Sequence, residues 1–423
     1  MKRNKFWTAV SRTVAAGTIT LVVALILAPC TWAQSTYKTL YRFKGGMDGG
    51  YPEAGLIFDA AGNLYGTTRV SGHFGVVFKL TPNPDGSWSE SVVHRFTSKD
   101  GAFPTAGLIF DQAGNLYGTT QVGGASGWGT VFKLTPNQDG SWTESLPLSV
   151  KCCRKGIHPT AGLVFDQVGN LYGTMSEGGI GCNGSGCGVV FKLTPHPDGS
   201  WTESIVHQFT GGKDGGTPLA GLIFDKAGNL YGTTVIGGHS RPCGGLGCGV
   251  VFELTPTPDG SWSENVLHQF SGWRDGGHPL AALILDQAGN LYGTAQVAGD
   301  HGWGTAFWLG DPWHEGHMFE VVLDDFKGGK YGAYPQASLI SDQAGNLYGT
   351  TYSGGNLACD HGNGCGVVFK LLGGGCQKKT VHRFSGLDGA HPKAGLIVDH
   401  AGNLYGTTYD GGKGYGVVFE ITP

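Results

Sequence analysis

The chain has 423 residues, 77 of them glycine, with 14% charged residues and a formal net charge of −4. It has no basic field with which to hold nucleic acid, and its 40% hydrophobic and 11% aromatic content excludes a disordered chain. Abundant glycine without a collagen triplet points instead to all-β structure with many tight turns.

The first element is a leader. Lys2, Arg3 and Lys5 precede an apolar run at 18–29, and Thr31, Trp32 and Ala33 offer a signal peptidase its site. The expectation is a signal peptide over 1–33, cleaved near Ala33, and a single domain over 34–423. The apolar run is short for a membrane span, and no later run is long enough. Cys30 would suit a lipoprotein, but Pro29 stands where such a site wants a small residue. A secreted monomer without a membrane span follows, in the periplasm, outside the cell or at its surface.

Seven repeats come next. Gly-Asn-Leu-Tyr-Gly-Thr begins at Gly62, Gly114, Gly169, Gly228, Gly289, Gly345 and Gly402, spaced 52 to 61 residues apart. Each unit predicts four short strands, in the first copy at 54–59, 63–68, 75–80 and 88–96. Turns of the Asp-x-x-Gly-Asn and Asp-Gly-Ser kinds separate them. Four hairpin-linked strands make one blade, and seven blades make a β-propeller. The seventh unit stops after its third strand, whereas 39–43, Thr-Leu-Tyr-Arg-Phe, matches the fourth strand of other copies. The N-terminal strand is therefore expected to complete the last blade and close the ring. Pro147 fits an outer edge strand, and Trp88, Trp142, Trp201 and Trp262 are expected to pack between blades.

The repeated unit, AGLIFDxAGNLYGTT followed by GVVFKLTPxxDGSW, resembles the GloVer tandem repeat of exported bacterial proteins over residues 37–423. That resemblance implies export and a repeat fold, and no activity. The chain carries no evident C-terminal anchor of the kind the family has.

Nine cysteines follow the leader. Cys182/Cys187, Cys243/Cys248 and Cys359/Cys365 lie between the second and third strands of units three, four and six. Those connections have 12, 14 and 14 residues, against 6 to 8 in the other units. Two thiols per loop are too few for a metal site, and export favours oxidation, so the three pairs are expected to be disulfides. Cys152 and Cys153 form a vicinal pair or leave a free thiol, and Cys376 has no obvious partner.

Connections from second to third strand, and from blade to blade, share one face and vary between copies, so any site is expected there. A residue before proline heads each inner strand: Tyr51, Phe103, His158, Thr217, His278, Tyr334 and His391. Six are aromatic or histidine, a candidate stacking platform for planar amphipathic ligands. Asp48, Asp100, Asp214, Asp275 and Asp388 precede five of them. They could offer oxygen ligands to Ca2+, though Asp-Gly turns commonly cap themselves; no cofactor is otherwise expected. The outer-strand histidines His94, His207, His268 and His382 read as surface residues. The function expected is a binding or scaffold module for an extracellular glycan or protein. The alternative is an enzyme acting on carbohydrate or a lactone through a loop-built site at the channel mouth. Catalysis is disfavoured because Leu56-Ile-Phe58 and their copies offer no carboxylate in mid-channel, and Glu177, Asp300 and Asp360 show no matched partner.

Overall fold

Strands joined by short hairpins must lie side by side, and each of the first six repeats forms a four-stranded antiparallel sheet whose spatial order is its chain order. A computed structural model describes residues 35–70, 74–179, 186–238, 242–311, 318–373 and 377–423. The leader, its cleavage position, Cys182 and Cys376 lie outside the described residues. In blade 1 the strands are Ile57–Phe58, Leu64–Thr68, Val76–Pro82 and Trp88–Arg95, from the innermost outward. The inner strand is shorter than the six residues expected. Its upstream end bonds to a neighbouring blade instead of to its own sheet: the Ala54 carbonyl accepts the Thr407 hydroxyl at 3.0 Å.

Blade 7 is built from Ile397–Val398, Leu404–Thr408, Val417–Thr422 and, as its outer strand, Thr36–Arg42. Thr36 faces Thr422 and Arg42 faces Val417. The protein is thus a seven-bladed β-propeller closed by its N-terminal strand.

The recurring motif explains itself at each position. Asp59 accepts hydrogen bonds from the Ala61 and Asn63 backbone N–H, the Asn63 amide and the Tyr65 hydroxyl, which fixes the turn. Gly66 must lack a side chain, because a Cβ there would stand 2.7 Å from the Phe78 ring and 2.9 Å from Leu56. That space is what lets Phe78 lie fully buried. Thr67 then donates to the Ala106 carbonyl of the next blade at 3.3 Å. The same threonine–alanine bond recurs at all seven seams, including the closing one.

The core therefore runs between blades. Tyr65 and Val77 of blade 1, with Phe96 at the end of its outer strand, pack with Leu108, Leu116 and Phe132 of the next. Trp142, Trp201 and Trp262 each sit edge-on against a tyrosine of the preceding blade, as expected. Pro147 lies on an outer strand, Trp142–Ser149. Among the described residues no helix is long and apolar enough to cross a membrane.

Candidate functional site

The seven residues that precede proline at the head of each blade share one backbone conformation. Tyr51, Phe103, His158, Thr217, His278, Tyr334 and His391 have φ between 54° and 58°. This left-handed region costs a bulky residue about 1 kcal/mol or more. Hydrogen bonds on both sides hold it. Tyr51 N–H donates to the Tyr415 carbonyl of the preceding blade at 2.8 Å, and its own carbonyl accepts from Arg69 N–H at 3.1 Å. All seven copies repeat this bridge. The prolines that follow are buried, six of the seven side chains are partly exposed, and His391 is 8% exposed.

The carbonyl that each ring residue reaches belongs to the position just before the glycine of the third strand. It is Phe74, Trp128, Trp303 or Tyr415 in blades with short connections, and Cys187, Cys248 or Cys365 in blades with long ones. One place in the blade is thus filled either by an aromatic ring or by a disulfide. Trp128 meets His158 with centroids 5.7 Å apart, Trp303 meets Tyr334 at 5.2 Å, and Tyr415 meets Tyr51 at 5.6 Å. Cys243–Cys248 and Cys359–Cys365 are bonded, as the loop lengths implied. Cys187 is disulfide-bonded too, but Cys182 is not described. Cys152 is a free, exposed thiol.

Polar chemistry gathers on one sector of this face, from blade 6 through blade 7 to blade 1. His391 Nδ1 lies 3.0 Å from Asp410 and its Nε2 3.4 Å from Asp360, while the Tyr352 ring stacks on it at 4.6 Å. Burial alone would depress the His391 pKa; Asp410 first and then Asp360 outweigh it and hold it above the ordinary histidine value. Beside it, Lys393 Nζ pairs with Glu53 at 2.8 Å and sits 3.6 Å above the Tyr409 ring. Tyr51 borders Tyr409 at 5.2 Å, and the Arg69 guanidinium covers Phe103 at 5.0 Å. Burial pushes the hydroxyls of Tyr51, Tyr352 and Tyr409 up, so they remain neutral donors.

The acids that lacked partners in sequence have them in space. Glu177 faces His158 at 3.4 Å, Asp360 faces His391, and Asp300 pairs with Arg274 at 3.1 Å. Thr217 brings no ring, and burial depresses the His278 pKa with no carboxylate acting on it.

The five turn aspartates lie on five different seams, each capping its own turn. Asp100 accepts from the Thr97 backbone at 2.6 Å, Asp275 from Ser271 at 2.8 Å and Asp388 from Ser385 at 2.7 Å. Asp48 and Asp214 receive the Lys44 and Thr210 backbone N–H. The outer-strand histidines, expected at the surface, are instead mostly buried in the seams, with 17–19% of each side chain exposed. A bulge in the outer strand, between the partners of Val77 and Phe78 in blade 1, turns His94 edgewise onto Phe96. There it faces Asp100 at 3.2 Å, as His268 faces Asp275 at 3.3 Å and His382 faces Asp388 at 2.9 Å.

Open clefts lie on the opposite face. A cavity of about 880 Å³ is lined by Phe58, Asp59, Trp88, Asp342, His400 and Tyr405 among others, and one of about 490 Å³ by Tyr172, Lys192, Phe224 and Trp262 among others. Their walls are the repeated turns, whose aspartates already accept hydrogen bonds from their own loops. That chemistry is common to the blades, whereas the side chains on the other face differ from blade to blade.

Fold and surface together define a seven-bladed β-propeller with one repetitive face and one varied, disulfide-stapled face. The chain belongs to the Gloeobacter/Verrucomicrobia repeat family, whose sequence profile matches residues 26–246 and 241–423. Among solved structures it is similar to the extracellular domain of a proposed one-component system from B. thetaiotaomicron. The TM-score is 0.54 at 9% identity, with 92% of this chain and 40% of that chain covered. That likeness is one of fold alone, and the chain spans well under half of the other. No curated protein matches the chain.

Proposed function

We propose that the protein is an exported binding module that takes a glycan on its varied face, across the sector of blades 6, 7 and 1. The observation that carries this reading is the cluster of Tyr51, Tyr352 and Tyr409 interleaved with the His391–Asp410 and Lys393–Glu53 pairs. Tyrosine faces stack on the apolar faces of sugar rings, while neutral phenols, carboxylates and an ammonium group bond to their hydroxyls. Tyr51 and His391 are bonded through their backbones to the preceding blade, and Tyr352 and Tyr409 to ring residues of their own blades, so little ordering entropy opposes binding. Export, with cleavage near Ala33 and a mature domain over 34–423, is supported by the leader sequence, the disulfides and the family.

A glycan array probed with the mature protein tests the reading. Saturable binding is expected, weakened by roughly 1–3 kcal/mol in Tyr352→Ala or Tyr51→Ala and unchanged in Thr217→Ala. Binding indifferent to the tyrosines, capture of protein partners alone, or turnover of a bound sugar would each overturn it.

A further inference from the structure

The seams carry a charge pattern that the varied face does not use. On each outer strand one position faces the preceding blade, occupied by Glu90, Glu144, Glu203, Glu264, Glu320, Lys378 and Tyr37. At two seams a lysine balances the acid: Lys155 pairs with Glu203 at 3.1 Å, and Lys378 with Asp324 at 2.6 Å. The seam between blades 1 and 2 is different. There Glu144 and Asp100 meet His94, whose Nε2 lies 3.2 Å from Asp100 Oδ2 and 3.9 Å from Glu144 Oε1. The three atoms fall within 4.8 Å of one another, the one such grouping among the described residues.

Two further details point to a ligand. Glu144 Oε1 is buried and accepts no hydrogen bond, as is true of Glu90, Glu264 and Glu320 at other seams, but among the described residues it alone of these has a histidine nitrogen and a second carboxylate within 4.8 Å. Asp100 is held through its other oxygen, Oδ1, which takes both the backbone N–H and the hydroxyl of Thr97, so Oδ2 is aimed into the seam by a fixed turn.

We propose that this seam binds one divalent transition-metal ion through His94 Nε2, Asp100 Oδ2 and Glu144 Oε1. Zinc bonds of about 2.0–2.2 Å set tetrahedral ligand atoms roughly 3.3–3.5 Å apart; His94 Nε2 already stands 3.2 Å from Asp100 Oδ2 and 3.9 Å from Glu144 Oε1, so the Glu144 side chain is the one that must draw in. One imidazole with two carboxylates suits a borderline ion such as Zn2+; Ca2+ would want six to eight oxygens. The ligands come from the outer strand of blade 1, the connection into blade 2 and the outer strand of blade 2. The bound ion therefore supplies the positive charge that lysine supplies at two other seams, and it clamps two blades together. His207, Asp214 and Glu264, and His268, Asp275 and Glu320, repeat the residue types at two more seams without reaching that mutual spacing, so one equivalent is expected. The proposal is independent of the glycan reading.

The test is calorimetric titration of the chelator-treated mature protein with Zn2+, joined to visible absorption with Co2+ as the spectroscopic probe. Expected are one saturable equivalent, a Co2+ spectrum of low-symmetry nitrogen and oxygen coordination, and a higher melting temperature with Zn2+. Glu144→Gln and Asp100→Asn should weaken binding roughly tenfold or more, while His268→Gln leaves it unchanged. Absence of saturable binding, or binding that Glu144→Gln does not weaken, overturns the proposal. A proton on Glu144 would then account for its burial. Should a variant fail to fold, the unsubstituted protein's stoichiometry and Co2+ spectrum still decide: no bound equivalent refutes the site.

Discussion

The Tyr37 ring lies against the His382 imidazole, centroids 4.2 Å apart and planes 13° from parallel. One residue belongs to the closing N-terminal strand and the other to the outer strand of blade 6, so the closure reaches beyond the blade it completes. The Tyr37 hydroxyl also donates to the Asp388 carbonyl, and burial pushes its pKa up, keeping it a donor. Tyr37→Ala is expected to cost about 3 kcal/mol, and Tyr37→Phe about 1 kcal/mol, read as lower guanidinium midpoints. Equal midpoints for Tyr37→Ala and the parent would mean that this contact plays no part in closing the ring.

The Asp324–Lys378 pair reverses the chemistry of the histidine seams. Lys378→Glu alone sets two carboxylates against each other and should destabilise by about 3 kcal/mol. Adding Asp324→His recreates the pairing of His94 with Glu144 and should recover at least about half of that loss. A double-mutant cycle measures the coupling. A double variant no better than the single one would show that these positions do not act as a pair.

Burial, and then the Asp214 charge, push Glu264 up to about 7. Below about pH 4.5 it is protonated in both the folded and unfolded chains. As the pH rises from there through about 7, the unfolded chain gives up a proton that the fold retains, so stability falls across that window. In the presence of chelator, Glu264→Gln should therefore raise stability at pH 8 by about 1–2 kcal/mol, solvent screening included. At pH 4 it should change nothing. A gain of equal size at both values would assign the effect to packing.

The short-loop disulfides lend themselves to a direct comparison. Cys243→Ser with Cys248→Ser should cost about 2 kcal/mol by the loop-closure relation, measured as a shift in melting temperature. In native protein Cys152 should alkylate freely, whereas Cys248 and Cys365 should alkylate only after reduction, as read by peptide mass mapping. Alkylation of Cys365 without reductant would contradict the assigned bond.

The blades, their closure and the disulfide loops were legible because each rests on a signal repeated in sequence or tied to loop length. The left-handed ring was not. An aromatic residue before proline reads as extended backbone, and the bond that overrides this bias joins Tyr51 to Tyr415, at the far end of the chain. The seam histidines were misread because a bulge decides where they point, and the bulge has no composition of its own. The pairing of His391 with Asp410 did leave a trace. The two are 19 residues apart, the offset that also separates His158 from Glu177, and comparing repeats at that offset would have found both. Tyr352 stacking on His391 and Lys393 reaching Glu53 link different blades with no recurring interval, so only the closed ring brings them together.

The shared left-handed conformation has a consequence for how such a surface changes. The backbone of each ring residue meets the scaffold by one bond to the preceding blade and one within its own, and neither bond depends on the identity of the side chain. Tyrosine, phenylalanine, threonine and histidine already occupy the position within a single molecule. The ring therefore works as seven interchangeable display posts around one rim. Preference for a new ligand can be acquired one codon at a time, while the architecture beneath stays as it was.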